Sequence, residues 1–167
     1  MKKLITILAV IGMFSLQGCT TTTDTNYVDN DTISTVYETK LVSFTPANNF
    51  IVKFNFPSAN YPSDMVLVYR LASTENGRDL WEFLPETYYF DNGTRDFSYN
   101  FNFTNTFVDI YLNGNDLLSV PSGNRLNQIF RIVVVPANLI NAVDKNNYPA
   151  VMSALKIKEN QIQKMNF

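Results

Sequence analysis

Residues 86–103 read ETYYFDNGTRDFSYNFNF, and they decide the fold. Two alternating apolar–polar runs flank Asn92-Gly93. That dipeptide tolerates positive φ at both central positions, as a two-residue type I′ hairpin turn requires. A hairpin closed there pairs Tyr88 with Phe97 and puts Phe90, Tyr99, Phe101 and Phe103 on one face. Ser98, Asn100, Asn102 and Thr104 occupy the other face, a solvated set. Since side chains alternate across a strand, the aromatic face is expected to be core.

The same two-residue period recurs on both sides of this hairpin. Upstream, residues 32–44 are rich in Val, Ile, Thr and Tyr, and Phe50, Val52, Phe54 and Phe56 fall on one face of the next run, which Pro57 stops. Residues 65–69, MVLVY, are apolar throughout, the pattern of a central strand covered on both sides. Residues 81–84 form a shorter strand candidate. Downstream, Val108, Ile110 and Leu112 alternate with Phe107, Asp109 and Tyr111 before a second Asn-Gly turn signal at Asn113-Gly114. Residues 119–127, with Pro121 and Gly123, read as a loop, and residues 129–135, IFRIVVV, as a second buried strand closed by Pro136.

Only the end looks helical. Asn147 is placed to cap, Pro149 fits a first turn, and Val151, Ala154 and Leu155 share a face. Ile162 and Met165 suggest one last turn packing down. About eight short strands and one small helix predict a mainly β fold, an antiparallel β-sandwich with a short C-terminal helix.

Composition narrows the function. The chain has no histidine and one cysteine, Cys19. It therefore lacks Ser-His-Asp and Cys-His nucleophiles, imidazole metal ligands and an internal disulfide. Formal net charge is -2, and loss of the leader would remove Lys2 and Lys3 and no acid. A mildly acidic domain with scattered Lys and Arg has no electrostatic footprint for nucleic acid.

The N-terminus carries the most specific signal. Lys2 and Lys3 precede an apolar run over residues 4–14, too short to span a bilayer of about 30 Å and typical of a secretory leader. Leu16-Gln17-Gly18-Cys19 follows and resembles the lipobox of bacterial lipoproteins, with Gln17 in place of the usual small residue. That resemblance implies a signal peptide over residues 1–18 and acylation of Cys19, so that the lipid tethers the protein to a membrane. Lipidation also uses a thiol that would otherwise stand unpaired outside the cytoplasm. Residues 19–31 are then a polar tether, and 32–167 a single β-sandwich domain. Thr20 stands where the inner-membrane retention signal of enteric bacteria has Asp, which favours the outer membrane. Asp31-Thr32-Ile33 resembles the O-glycan acceptor sequence of Bacteroidetes.

Three chemistries fit the remaining residues. Trp81, Tyr89 and Tyr111 are candidates to stack on a sugar ring, although the apolar neighbours of Trp81 suit a core position. Asp91, Asp96 and Asp116 lie in turn sequences that offer oxygen ligands to calcium, and hairpin chemistry explains them equally. Glu82, Glu86, Asp91, Asp96 and Asp109 are the carboxylates from which a glycosidase pair would have to come. No residue is singled out as catalytic, and no cofactor is expected.

YPSDMVLVYRL at 61–71, LWEFLPETYYF at 80–90, FRIVVVPA at 130–137 and AVMSALKI at 150–157, together with LQGC, resemble short lipoproteins of Flavobacteria and other Bacteroidetes. Some members of that group carry a collagen-like segment after the lipid cysteine, where this chain has a Thr-rich tether. Others bear a dihydrolipoamide dehydrogenase label, which this chain contradicts: it lacks a redox cysteine pair, a GxGxxG turn and a histidine base. The resemblance implies a lipid-anchored envelope protein without assigning it an activity. The expected function is non-enzymatic binding or scaffolding of an envelope protein or glycan. A carbohydrate-binding module is the alternative, and a carboxylate-dependent glycosidase a more distant one.

Overall fold

A computed structural model describes residues 34–136, 139 and 143–165, all within one compact unit, Asp31–Phe167. The expected leader, the lipobox with Cys19 and the expected tether over residues 19–31 all lie outside the described residues.

The fold is the expected β-sandwich, with nine strands among the described residues. They are β1 (Thr35–Thr39), β2 (Ile51–Asn55), β3 (Asp64–Glu75), β4 (Arg78–Phe83), β5 (Glu86–Tyr89), β6 (Arg95–Phe103), β7 (Phe107–Gly114), β8 (Phe130–Pro136) and β9 (Gln163–Met165). A five-stranded sheet runs β4-β3-β8-β1-β9, and a four-stranded sheet runs β2-β7-β6-β5. Every pairing is antiparallel except β1 with β9.

Two cores follow from strand alternation. Between the sheets, Val66, Val68, Ile132 and Val134 meet Phe54, Phe97, Tyr99, Val108 and Ile110. On the outer side of the five-stranded sheet, Leu67, Tyr69, Trp81, Val133 and Val135 meet Tyr148, Val151 and Met152. The last three belong to helix α2 (Tyr148–Leu155); a single helical turn, α1 (Ser122–Arg125), precedes β8. The apolar stretches 65–69 of β3 and 132–135 of β8 carry apolar residues at every position because each strand serves both cores. Asn147 caps α2 by accepting from the Ala150 N–H at 3.1 Å.

Several local expectations are corrected. Asn92-Gly93 does not form a type I′ turn. Only Gly93 has positive φ, at 80°, and its N–H bonds to the Phe90 carbonyl while the Phe90 N–H bonds to Thr94. The loop therefore has three residues with Gly93 in the left-handed position, the next commonest hairpin solution. The expected register survives at Glu86↔Tyr99 and Thr87↔Ser98, then shifts by one at Tyr89↔Arg95. Tyr88 and Phe97 stack at 4.6 Å. Ser98 is buried rather than solvated, and Phe90 and Phe103 emerge at opposite ends of the aromatic face.

Asn113-Gly114 makes no turn, because β7 continues through it and Gly114 pairs with Phe97. A Cβ on Gly114 would lie 2.9 Å from the Asp96 carbonyl oxygen, so close strand approach is what requires glycine here. The loop expected at 119–127 contains α1. Ala154 is exposed, and Tyr148 and Met152 share the buried helix face with Val151 instead. Ile162 caps a short 3-10 turn, Glu159–Gln161, and packs on the outer core, whereas Met165 ends β9, which adds to the sheet beside β1.

Candidate functional site

The strongest electrostatics in the domain come from two arginines within the buried strands. Arg70 and Arg131 are 6% and 5% exposed. They lie on adjacent strands one register step apart, since Tyr69 faces Arg131 and Arg70 faces Phe130. Opposite parity sends them to opposite sides of the sheet.

Arg70 enters the inter-sheet core. Its Nε and Nη2 donate to the two Glu86 oxygens at 2.7 Å each, and Nη2 also donates to the Tyr88 hydroxyl at 2.8 Å. Nη1 reaches Gln128 Oε1, and the guanidinium lies over the Tyr99 ring. Burial lowers the Arg70 pKa, but the bonds and charge of Glu86 outweigh it and raise it overall. The Tyr88 hydroxyl is pushed up to about 12, first by burial and then by its bond to Glu86. The Tyr99 hydroxyl closes the network by donating to the Asn124 carbonyl.

Arg131 points the other way. It donates to Glu38 at 2.9 Å, bidentately to Glu159 at 2.9 and 2.7 Å, and to the Tyr148 hydroxyl at 2.7 Å. Its guanidinium lies 4.1 Å from the Trp81 ring centroid. Here too burial opposes the charge, while Glu159 and its other partners raise the Arg131 pKa overall. Burial raises the Tyr148 hydroxyl to about 12, against the lowering effect of Arg131. Both networks are saturated with internal bonds, so they anchor β5, α2 and the C-terminal segment to the central strands.

The three candidate stacking residues do not form one platform. Trp81 is buried beneath α2 on the five-stranded sheet. Tyr89 is 65% exposed on edge strand β5, and Tyr111 is half-buried on β7. Their register partners on β6, Arg95 and Asn100, are five residues apart, about 16 Å along the strand.

The carboxylates are likewise dispersed. Glu86 is engaged by Arg70, and Asp109 by Lys53 at 2.9 Å. Glu82 is exposed on β4 and Asp91 in the hairpin loop, whereas Asp96 is half-buried in β6. Asp116 accepts from the Leu118 N–H at 3.2 Å and the Ser119 N–H at 3.4 Å, a local turn. Among the described residues, no three His, Cys, Asp or Glu side chains are grouped to hold a metal, and no helix is long and apolar enough to cross a membrane. Cys19, with Leu16, Gln17 and Gly18, lies outside the described residues.

Sequence reasoning passed over Arg70 and Arg131. The signal was present: each interrupts an apolar strand, VLVYRLA and FRIVVVP, where an unpaired charge is untenable. Their partners, 16 to 93 residues away, cannot be read from spacing.

No family model, curated protein or solved structure matches the chain.

Proposed function

We propose that this protein is a lipid-anchored, non-enzymatic β-sandwich of the bacterial cell envelope. It is held in the outer membrane through acylated Cys19 and serves to bind or scaffold an envelope protein or glycan. The observation that carries the reading is the LQGC box directly behind a basic, then apolar leader, in a chain with no other cysteine. Support comes from the two arginine networks, whose strongest charges are committed to holding the domain together. The resemblance to Flavobacterial lipoproteins agrees with this assignment.

Membrane fractionation tests it. Wild-type protein should sediment with outer membranes and be released by detergent, whereas Cys19→Ser should accumulate as the unprocessed precursor, unacylated. A Cys19→Ser protein that is processed and retained like wild type would overturn the anchor.

Exposed Tyr89 and Phe90 favour glycan binding as a second reading, because aromatic faces suit sugar stacking. Tyr89→Ala should then lose retention on a column of the organism's own envelope polysaccharide. Equal retention of both proteins would remove this reading.

A further inference from the structure

The strand register shows which end of the sandwich the tether enters. Thr35 opens β1 and pairs with Val134, which pairs with Val66. Since β1 and β3 both run antiparallel to β8, they run parallel to each other, two strand spacings or about 10 Å apart. The chain before Thr35 therefore leaves at the end where Tyr61, Pro62 and Asp64 lead into β3.

That end carries exposed aromatic surface. Tyr61, Pro62, Val66 and Phe103 line a cleft of about 400 Å³. Tyr61 is 56% and Phe103 37% exposed. The loop that bears Tyr61 is tied to the turn that follows Phe103 at the end of β6, since the Asn60 N–H donates to the Asn105 carbonyl at 2.7 Å. Asp64 is the one charged residue in the lining, and its carboxylate is occupied by the Tyr61 N–H at 3.0 Å.

We propose that this end of the sandwich is a lipid-contacting surface, with Tyr61, Pro62 and Phe103 settling into the interfacial layer of the bilayer that holds the Cys19 acyl chains. The proposal rests on the lipid-anchor reading. Residues 20–34 separate the lipid cysteine from β1 and span at most about 50 Å when extended. Thr35 opens β1 at the end of the sandwich that carries the cleft, so this is the domain surface with the shortest path to the bilayer. Tyrosine suits the interface because its ring is apolar and its hydroxyl stays wet. The contact is driven by apolar and aromatic burial, with no cation in the cleft, and so persists at high salt.

The test uses the acylated full-length protein, reconstituted in phosphatidylcholine vesicles with a nitroxide quencher at the headgroup–acyl boundary. Tyr61→Trp reports from the tether end and Phe90→Trp from the β5–β6 hairpin at the opposite end, while buried Trp81 gives both the same background. Emission of Tyr61→Trp should fall on the order of twofold, as expected for a ring within 5–10 Å of that boundary. Phe90→Trp should keep its emission. The unsubstituted protein gives an independent reading, with amides at 60–64 and 103–106 exchanging more slowly on vesicles than in detergent. Protein that floats with the vesicles but shows neither effect overturns the docking surface and leaves the anchor standing. Protein that carries no acyl group and does not float overturns both.

Discussion

Arg70 and Arg131 are near neighbours on β3 and β8, yet each is satisfied on its own side of the sheet by carboxylates from distant segments. Removing one partner of such a pair leaves a buried charge unanswered and costs about 3–5 kcal/mol. Arg70→Met should lower the unfolding free energy by that amount in a denaturant titration, and Arg70→Met with Glu86→Leu should recover much of the loss. A single variant as stable as wild type would show that the network contributes nothing. Glu159→Gln should cost no more than about 1 kcal/mol, since its side chain is 69% exposed and Glu38 remains on Arg131.

The tyrosines of these networks set the alkaline limit. Tyr88 and Tyr148 titrate at about 12 in the folded chain, above the ordinary 10. The native state thus holds protons that the unfolded chain releases, and its advantage is complete below pH 10. Stability should fall as pH rises from about 10 to about 12, followed by chemical denaturation at each pH. Phe at both positions should flatten that fall, and an unchanged slope would mean these phenols are not the cause.

Elements show where local signals sufficed. The alternation in β2, β6 and β7 placed Phe54, Tyr99, Val108 and Ile110 inside, because strand period alone decides the face. The hairpin register was legible as far as Thr87↔Ser98, beyond which a one-residue shift separates it from the ideal ladder. Asn-Gly misled over the turn type at Asn92-Gly93, where the hairpin closes with three loop residues, and over the turn itself at Asn113-Gly114, where the strand continues. At Gly114 the glycine serves packing, so Gly114→Ala should cost about 1–3 kcal/mol through overpacking against Asp96. Gly93→Ala meets no neighbour within 4 Å and should cost only about 1 kcal/mol, from its positive φ. Thermal unfolding of the two variants separates these cases. Strand β9 was illegible because three residues joined in parallel to β1 depend on a contact across the whole chain.

At the scale of the molecule, fold class was written in periodicity, whereas the arginine networks and the tether-end cleft depend on long-range pairing that no local window contains. The proposed anchor stands apart, because its sequence signal is local and confined to residues 16–19. On the proposed reading it would orient the sandwich, because the chain enters β1 at one end and Tyr89 and Phe90 lie at the other. Mass spectrometry of the N-terminal peptide of the mature protein tests this account most directly. The mature chain should begin at Cys19 and carry several acyl chains. A mature N-terminus elsewhere, or a Cys19 with a free thiol, would contradict it.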